Sequence, residues 1–115
     1  MSYEVKETRT YDHSADAVNR LAAEVIRQLG GKLSKKKSAD GSLTANFNKK
    51  IKGKMFANRC QLEVTVIPQT AEQCQVTMLA YPVDPIGNKL LFGVRGDPAR
   101  MVVDTFLTDF EAQIG

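Results

Sequence analysis

The hydrophobic period of this chain changes twice, and that change decides what it can fold into. Val18, Leu21, Ala22, Val25, Ile26 and Leu29 recur at the i, i+3, i+4, i+7 spacing of one helix face. Ser14 is placed to cap that helix, Asp16 lies in its first turn, and Gly30-Gly31 stops it. Near the other end, Asp97 and Pro98 open a second stripe of Ala99, Val102, Val103, Phe106, Leu107, Phe110 and Ile114. Between the two the period falls to two. Leu43, Ala45, Phe47 and Ile51 alternate with Thr44, Asn46, Asn48 and Lys50, and Phe56, Cys60, Leu62, Val64 and Val66 alternate with Arg59, Gln61, Glu63 and Thr65. Cys74, Val76, Met78 and Ala80 alternate with Gln75, Thr77, Leu79 and Tyr81, and Tyr3, Val5 and Tyr11 mark one more strand.

A slip of one residue in any pairing would send the apolar face to solvent, so the turns are constrained by the pattern. A Lys52-Gly53 turn sets Leu43 opposite Leu62, Ala45 opposite Cys60 and Phe47 opposite Asn58. A turn near Thr70 sets Leu62 opposite Met78 and Val64 opposite Val76. Ala39-Asp40-Gly41, with Gly41 left-handed, sets Leu33 opposite Phe47. In these registers Cys60 faces Ala80 and Cys74 faces Val66, an offset of roughly 20 Å that predicts two free thiols. The stretch from 82 to 96 is too apolar for an ordinary surface loop and is expected to hold a short strand from Leu90 to Val94.

A chain of 115 residues fits one domain. Antiparallel strands with one polar face leave a single side for helices, which predicts a two-layer α+β fold: a sheet of five or six strands with two helices on one face. This strand, helix, four or five strands, helix order resembles the helix-grip domains of the Bet v 1 and START kind, in which a curved sheet wraps the last helix. The resemblance covers most of the chain and is carried by element order; the chain is shorter than that class and has one helix after the first strand. It implies an apolar ligand held between sheet and last helix, with Phe47, Leu62, Met78, Leu91, Phe92, Phe106 and Phe110 as pocket candidates and, as the alternative to a strand, the stretch from 82 to 96 as a cover over the pocket mouth.

Charge is distributed unevenly. Residues 32 to 59 hold nine basic residues against Asp40, a local +8 that leaves −5 for the rest of a chain of net +3. Clustered lysines attract phosphates and carboxylates, whereas lysines on an exposed strand also block edge-to-edge aggregation. The registers separate Lys35, Lys36 and Lys37 from a second group by about 20 to 25 Å, well beyond a Debye length of about 8 Å. That second group, Lys32, Lys49, Lys50, Lys52 and Lys54, is concentrated at an expected protruding turn and is the anion-binding candidate, for an anionic surface or an acidic partner. Nucleic acid is disfavoured, because the polar face offers no aromatic before Tyr81 on which a base could stack.

Catalytic chemistry has little to stand on. His13 lies in a polar turn, Cys60 and Cys74 fall on the core-facing parity, and Asp104 and Asp109 do not share a helix face. One histidine and two cysteines are too few for a Cys/His zinc site, so neither metal nor cofactor is expected. No apolar run is long enough to span a bilayer and the N-terminus lacks a signal core, which predicts a cytoplasmic protein. The leading expectation is therefore a non-enzymatic binding domain for an apolar or amphipathic, lipid-like small molecule. The alternative is an interaction or membrane-surface module that acts through the basic hairpin tip and holds no internal ligand. A cavity between sheet and last helix favours the first, and a closed interface there favours the second.

Overall fold

A computed structural model describes residues 3–34, 42–56, 58–86, 88–90, 94 and 96–114. The chain runs β1 (Val5–Tyr11), α1 (Ala15–Gln28), β2 (Lys32–Leu33), β3 (Leu43–Phe47), β4 (Lys50–Ile51), β5 (Lys54–Met55), β6 (Arg59–Thr70), β7 (Gln73–Val83) and α2 (Pro98–Ile114). Strands β1, β7, β6, β3 and β2, in that spatial order, make an antiparallel sheet of five, and β4 with β5 makes a separate two-stranded ribbon. Both helices pack on one face, so the fold is the α+β, helix-grip arrangement expected from the pattern.

The helix ends follow from their caps. Ser14 Oγ accepts from the Ala17 amide at 3.2 Å, and Gly30 leaves α1 at φ +91°. At the start of α2, Asp97 Oδ1 accepts from the Arg100 amide at 3.1 Å. Gly31 is required for a different reason: a Cβ there would lie 2.7 Å from Phe47 Cζ and 2.8 Å from Ile26 Cγ2, so the backbone passes directly over two core side chains.

The registers depart from expectation by two residues each, and the faces survive because two is even. Leu62 faces Ala80 and Val64 faces Met78, because the β6–β7 turn falls at Ala71-Glu72 with a bulge between Pro68 and Thr70. Ala45 faces Leu62 and Phe47 faces Cys60, although the ribbon keeps the expected Lys50–Met55 and Ile51–Lys54 pairs around a Lys52-Gly53 turn with both φ positive. The offset arises between them: Asn48 and Lys49 on the outgoing side are matched by residues 56 to 59 on the return. Lys49 adopts φ +60° and breaks the strand, so the long hairpin expected through Ile51 and Phe56 is two short ladders. Leu33 faces Ala45, not Phe47; the expected turn at 39 to 41 lies outside the described residues.

The inner face of the sheet, Ala45, Phe47, Cys60, Leu62, Val64, Cys74, Val76, Met78 and Ala80, is buried against Val18, Ala22, Val25 and Ile26 of α1 and Val102, Val103, Phe106 and Phe110 of α2. Phe106 and Phe110 stack at 5.6 Å, and Tyr11 meets Phe110 edge-on at 5.2 Å. Both cysteines are free, with Cys60 opposite Pro82 and Cys74 opposite Pro68, an offset of eight residues or roughly 26 Å.

Candidate functional site

Five of the pocket candidates from sequence are core side chains. Leu62, Met78 and Phe106 have no exposure and Phe110 has 1%, leaving no water-sized space beside them; Phe47 is equally buried but borders the cleft at the sheet end, and Leu91 and Phe92 lie outside the described residues. Sheet and α2 are therefore closed on one another among the described residues.

A cleft of about 590 Å³ lies between the end of α1 and the β4–β5 ribbon, and two smaller, adjoining ones lie at the sheet end where β3 stops, β6 begins and the chain leaves β7. There Lys32, Asn46, Phe47, Asn48, Arg59, Val83, Asp84, Pro85 and Ile86 line a half-open cleft of about 440 Å³. A second cleft of about 270 Å³ shares Asn48, Arg59, Val83, Asp84 and Pro85, and adds Lys49, Asn58 and Leu90. The wall is built by a tight turn after β7. Asp84 Oδ1 accepts from the amides of Ile86 at 3.0 Å and Asn88 at 2.9 Å, and the Asp84 amide donates to the Asn88 carbonyl at 2.8 Å. Arg59 Nη1 donates to the Pro85 carbonyl at 3.2 Å and ties that turn to β6. The chain then returns beside β7, with Val83 bridged to Lys89 and the Leu90 amide bonded to the Pro82 carbonyl at 2.9 Å. The expected strand from Leu90 to Val94 falls largely on residues 91–93, which lie outside the described residues. Asn58 contributes a side-chain oxygen, Oδ1, that is buried and has no partner among the described residues.

The basic hairpin does not protrude as expected. Ile51 is wholly buried, the Lys52 amide donates to the Leu29 carbonyl at 3.0 Å, and Lys52 Nζ pairs with Asp109 of α2 at 3.0 Å. The apolar Ile51 decides the matter: in a two-residue strand with one buried position, burial against the core outweighs an extended pose. Lys32, Lys49, Lys50 and Lys54 make no ion pair among the described residues and are exposed; Lys32 and Lys49 line the two clefts at the sheet end, and Lys54 lies beside Asp104 and Asp109 of α2. Lys35, Lys36 and Lys37 lie outside the described residues.

The inner face of β1 carries charges that the alternation did not reveal. Glu7 and Arg9 lie across from Met78 and Val76, and Glu7 accepts from Arg100 Nη1 and Arg9 Nη1 at 3.0 Å each. The two guanidiniums, Arg100 foremost, hold the Glu7 carboxyl below its usual range. Arg100 also reaches Asp104 at 3.4 Å, so it joins a structural network across β1 and α2 and is not poised for an outside anion; Arg95 lies outside the described residues. Tyr11 donates to Glu111 at 3.1 Å, and burial raises the phenol above its ordinary range. His13 is exposed. Among the described residues, no three His, Cys, Asp or Glu side chains are grouped to hold a metal ion, and no helix is long and apolar enough to cross a membrane.

No protein-family model matches this sequence, and no curated protein matches it at a significant level. Similar solved structures exist. A START superfamily protein from Mycobacterium smegmatis shares 9% identity at a TM-score of 0.48, over 94% of this chain and 93% of that one. The Zhui aromatase/cyclase from Streptomyces sp. R1128 shares 14% at 0.41, over 95% and 86%. The di-domain ARO/CYC BexL from the BE-7585A biosynthetic pathway shares 16% at 0.44, over 95% of this chain, which spans 44% of that di-domain. At these identities the likeness concerns the fold alone.

Proposed function

We propose that this domain binds an amphipathic small molecule carrying an anionic group, in the cleft at the sheet end and not between sheet and α2. The observation that supports the reading is the lining of the 440 Å³ cleft, where the apolar Val83, Pro85 and Ile86 lie beside Lys32 and Arg59. That volume falls in the range of small-molecule sites, and apolar walls with a few convergent polar groups are their usual make-up. The apolar walls take an alkyl or ring body, the two cations take a carboxylate or phosphate, and Asn46 and Asn48 offer amides to the polar end. The carboxylate in the lining, Asp84, is taken up by two amides of its own turn, which supports a binding role.

Titration with decanoate, followed by amide chemical shifts, tests it. The amides of Asn46, Asn48, Val83 and Ile86 should move together, decanol should bind more weakly, and Lys32→Gln with Arg59→Gln should weaken decanoate about tenfold, the scale of one lost charge-assisted contact. Shifts confined to α2 and the inner sheet face, or equal binding by the double variant, would overturn the reading.

A further inference from the structure

Among the described residues three large apolar side chains are exposed: Ile86 at 84%, Met55 at 78% and Ile67 at 47%. The two most exposed belong to the end of the molecule that carries the unpaired lysines. Met55 stands on β5 across from Lys50 and directly after Lys54. Ile86 crowns the turn after β7, on the rim of the cleft that Lys32 and Arg59 line, and Lys49 joins hairpin to turn by lining the adjoining cleft with Pro85 and Leu90. Asp84 Oδ1 takes two amides of its own turn and Asp109 holds Lys52, while Asp104, which reaches Arg100, lies beside Lys54 on the side facing α2. Two apolar tips thus stand in a field of cations. Water opposes such exposure, and nothing among the described residues covers either tip.

We propose that this end of the domain docks on an anionic lipid bilayer, with Met55 and Ile86 entering the headgroup boundary and Lys32, Lys49 and Lys50 resting on the anionic headgroups. The chemistry selects this occupant. Protruding apolar side chains gain from an acyl boundary that deforms around them, while lysines draw the surface toward its negative charge. A nucleic acid would leave both apolar tips wet and would find no exposed aromatic among the described residues to stack on. Docking does not require the cleft to be filled, so the decanoate titration and the bilayer measurement can fail separately.

The chain has no tryptophan, so Ile86→Trp gives a single emission reporter at the proposed contact. Its emission should shift to the blue with vesicles of phosphatidylglycerol and phosphatidylcholine, should not shift with phosphatidylcholine alone, and should lose the shift as salt rises from low to physiological. In co-sedimentation of the unlabelled protein, Met55→Ser with Ile86→Ser should lower partitioning about tenfold. Lys49→Glu and Lys50→Glu together should lower it at least about twenty-five-fold, at roughly fivefold per cation. Ile67→Ser, at the opposite end of the sheet, should change nothing, and matched circular dichroism melts show that each variant is folded. Equal binding to neutral vesicles, or equal loss from Ile67→Ser, overturns the proposal. Tight binding of polyglutamate that the two serine substitutions leave intact overturns it in favour of an acidic protein partner.

Discussion

Ile51→Ala separates a hairpin folded onto the core from one that projects into solvent. Ile51 is fully buried although it belongs to a strand of two residues, and its neighbour Lys52 is held twice, by the Leu29 carbonyl through its amide and by Asp109 through its ammonium, each at 3.0 Å. Truncating a buried isoleucine to alanine costs about 2 to 5 kcal/mol, the spread reflecting how far the site can collapse. Here the upper end is out of reach. Once the loss exceeds what docking contributes, the ribbon detaches as a local unit and nothing further is lost. The expected cost is therefore about 2 to 3 kcal/mol, or roughly 8 to 12 °C in the melting midpoint at about 4 °C per kcal/mol. Lys52→Ala breaks one half-exposed ion pair and should cost under about 1 kcal/mol, and Lys54→Ala, on an exposed side chain, should be neutral. Thermal melts by far-ultraviolet circular dichroism give the midpoints, and hydrogen exchange at the Lys52 amide reports docking directly. An Ile51→Ala midpoint within about 1 °C of wild type, with an unprotected Lys52 amide in the parent protein, would refute the folded-back hairpin.

Phe106→Ala removes a side chain with no exposure and a stacked partner, and should cost about 3 to 5 kcal/mol, while exposed Thr108→Ala should fall within about 0.5 kcal/mol of wild type; equal midpoints would show the stripe of α2 misassigned. Burial pushes the Cys60 thiol up to about 12 and raises Cys74 as well, so both should resist a thiol reagent in the native protein and react fully on denaturation. Recovery of a Cys60–Cys74 bridge would contradict the sheet register. Glu7, its carboxyl lowered by Arg100 and Arg9, contributes stability that is present above its unfolded pKa of about 4.5 and is lost as pH falls through the lower folded value. Glu7→Gln should flatten the acid limb of a melting-midpoint profile below about pH 4.5, and an unchanged limb would show that the Arg100 contact is absent in solution.

Periodicity alone carried the two helices, their caps at Ser14 and Asp97, and the face to which each strand side chain points, because these depend on spacing within a segment and on which residues can satisfy a helix end. Parity even survived three registers that were each two residues off, since any even slip returns the same side chains to the core. What the pattern could not supply was the length of connection absorbed at a bend. The bulge between Pro68 and Thr70 and the two additional residues after β5 are settled by packing on the assembled core, with Lys49 forced to positive φ as a result. The lysine cluster was legible as charge, but whether it projected was not: a buried Ile51 and the distant Asp109 drew the hairpin back, and that contact spans 57 positions of sequence. The cleft was still less visible, because Lys32, Asn48, Arg59 and Pro85 come from four separate stretches of chain and meet only where the strand ends converge. Local spacing records the face of an element; only tertiary packing decides which ends come together.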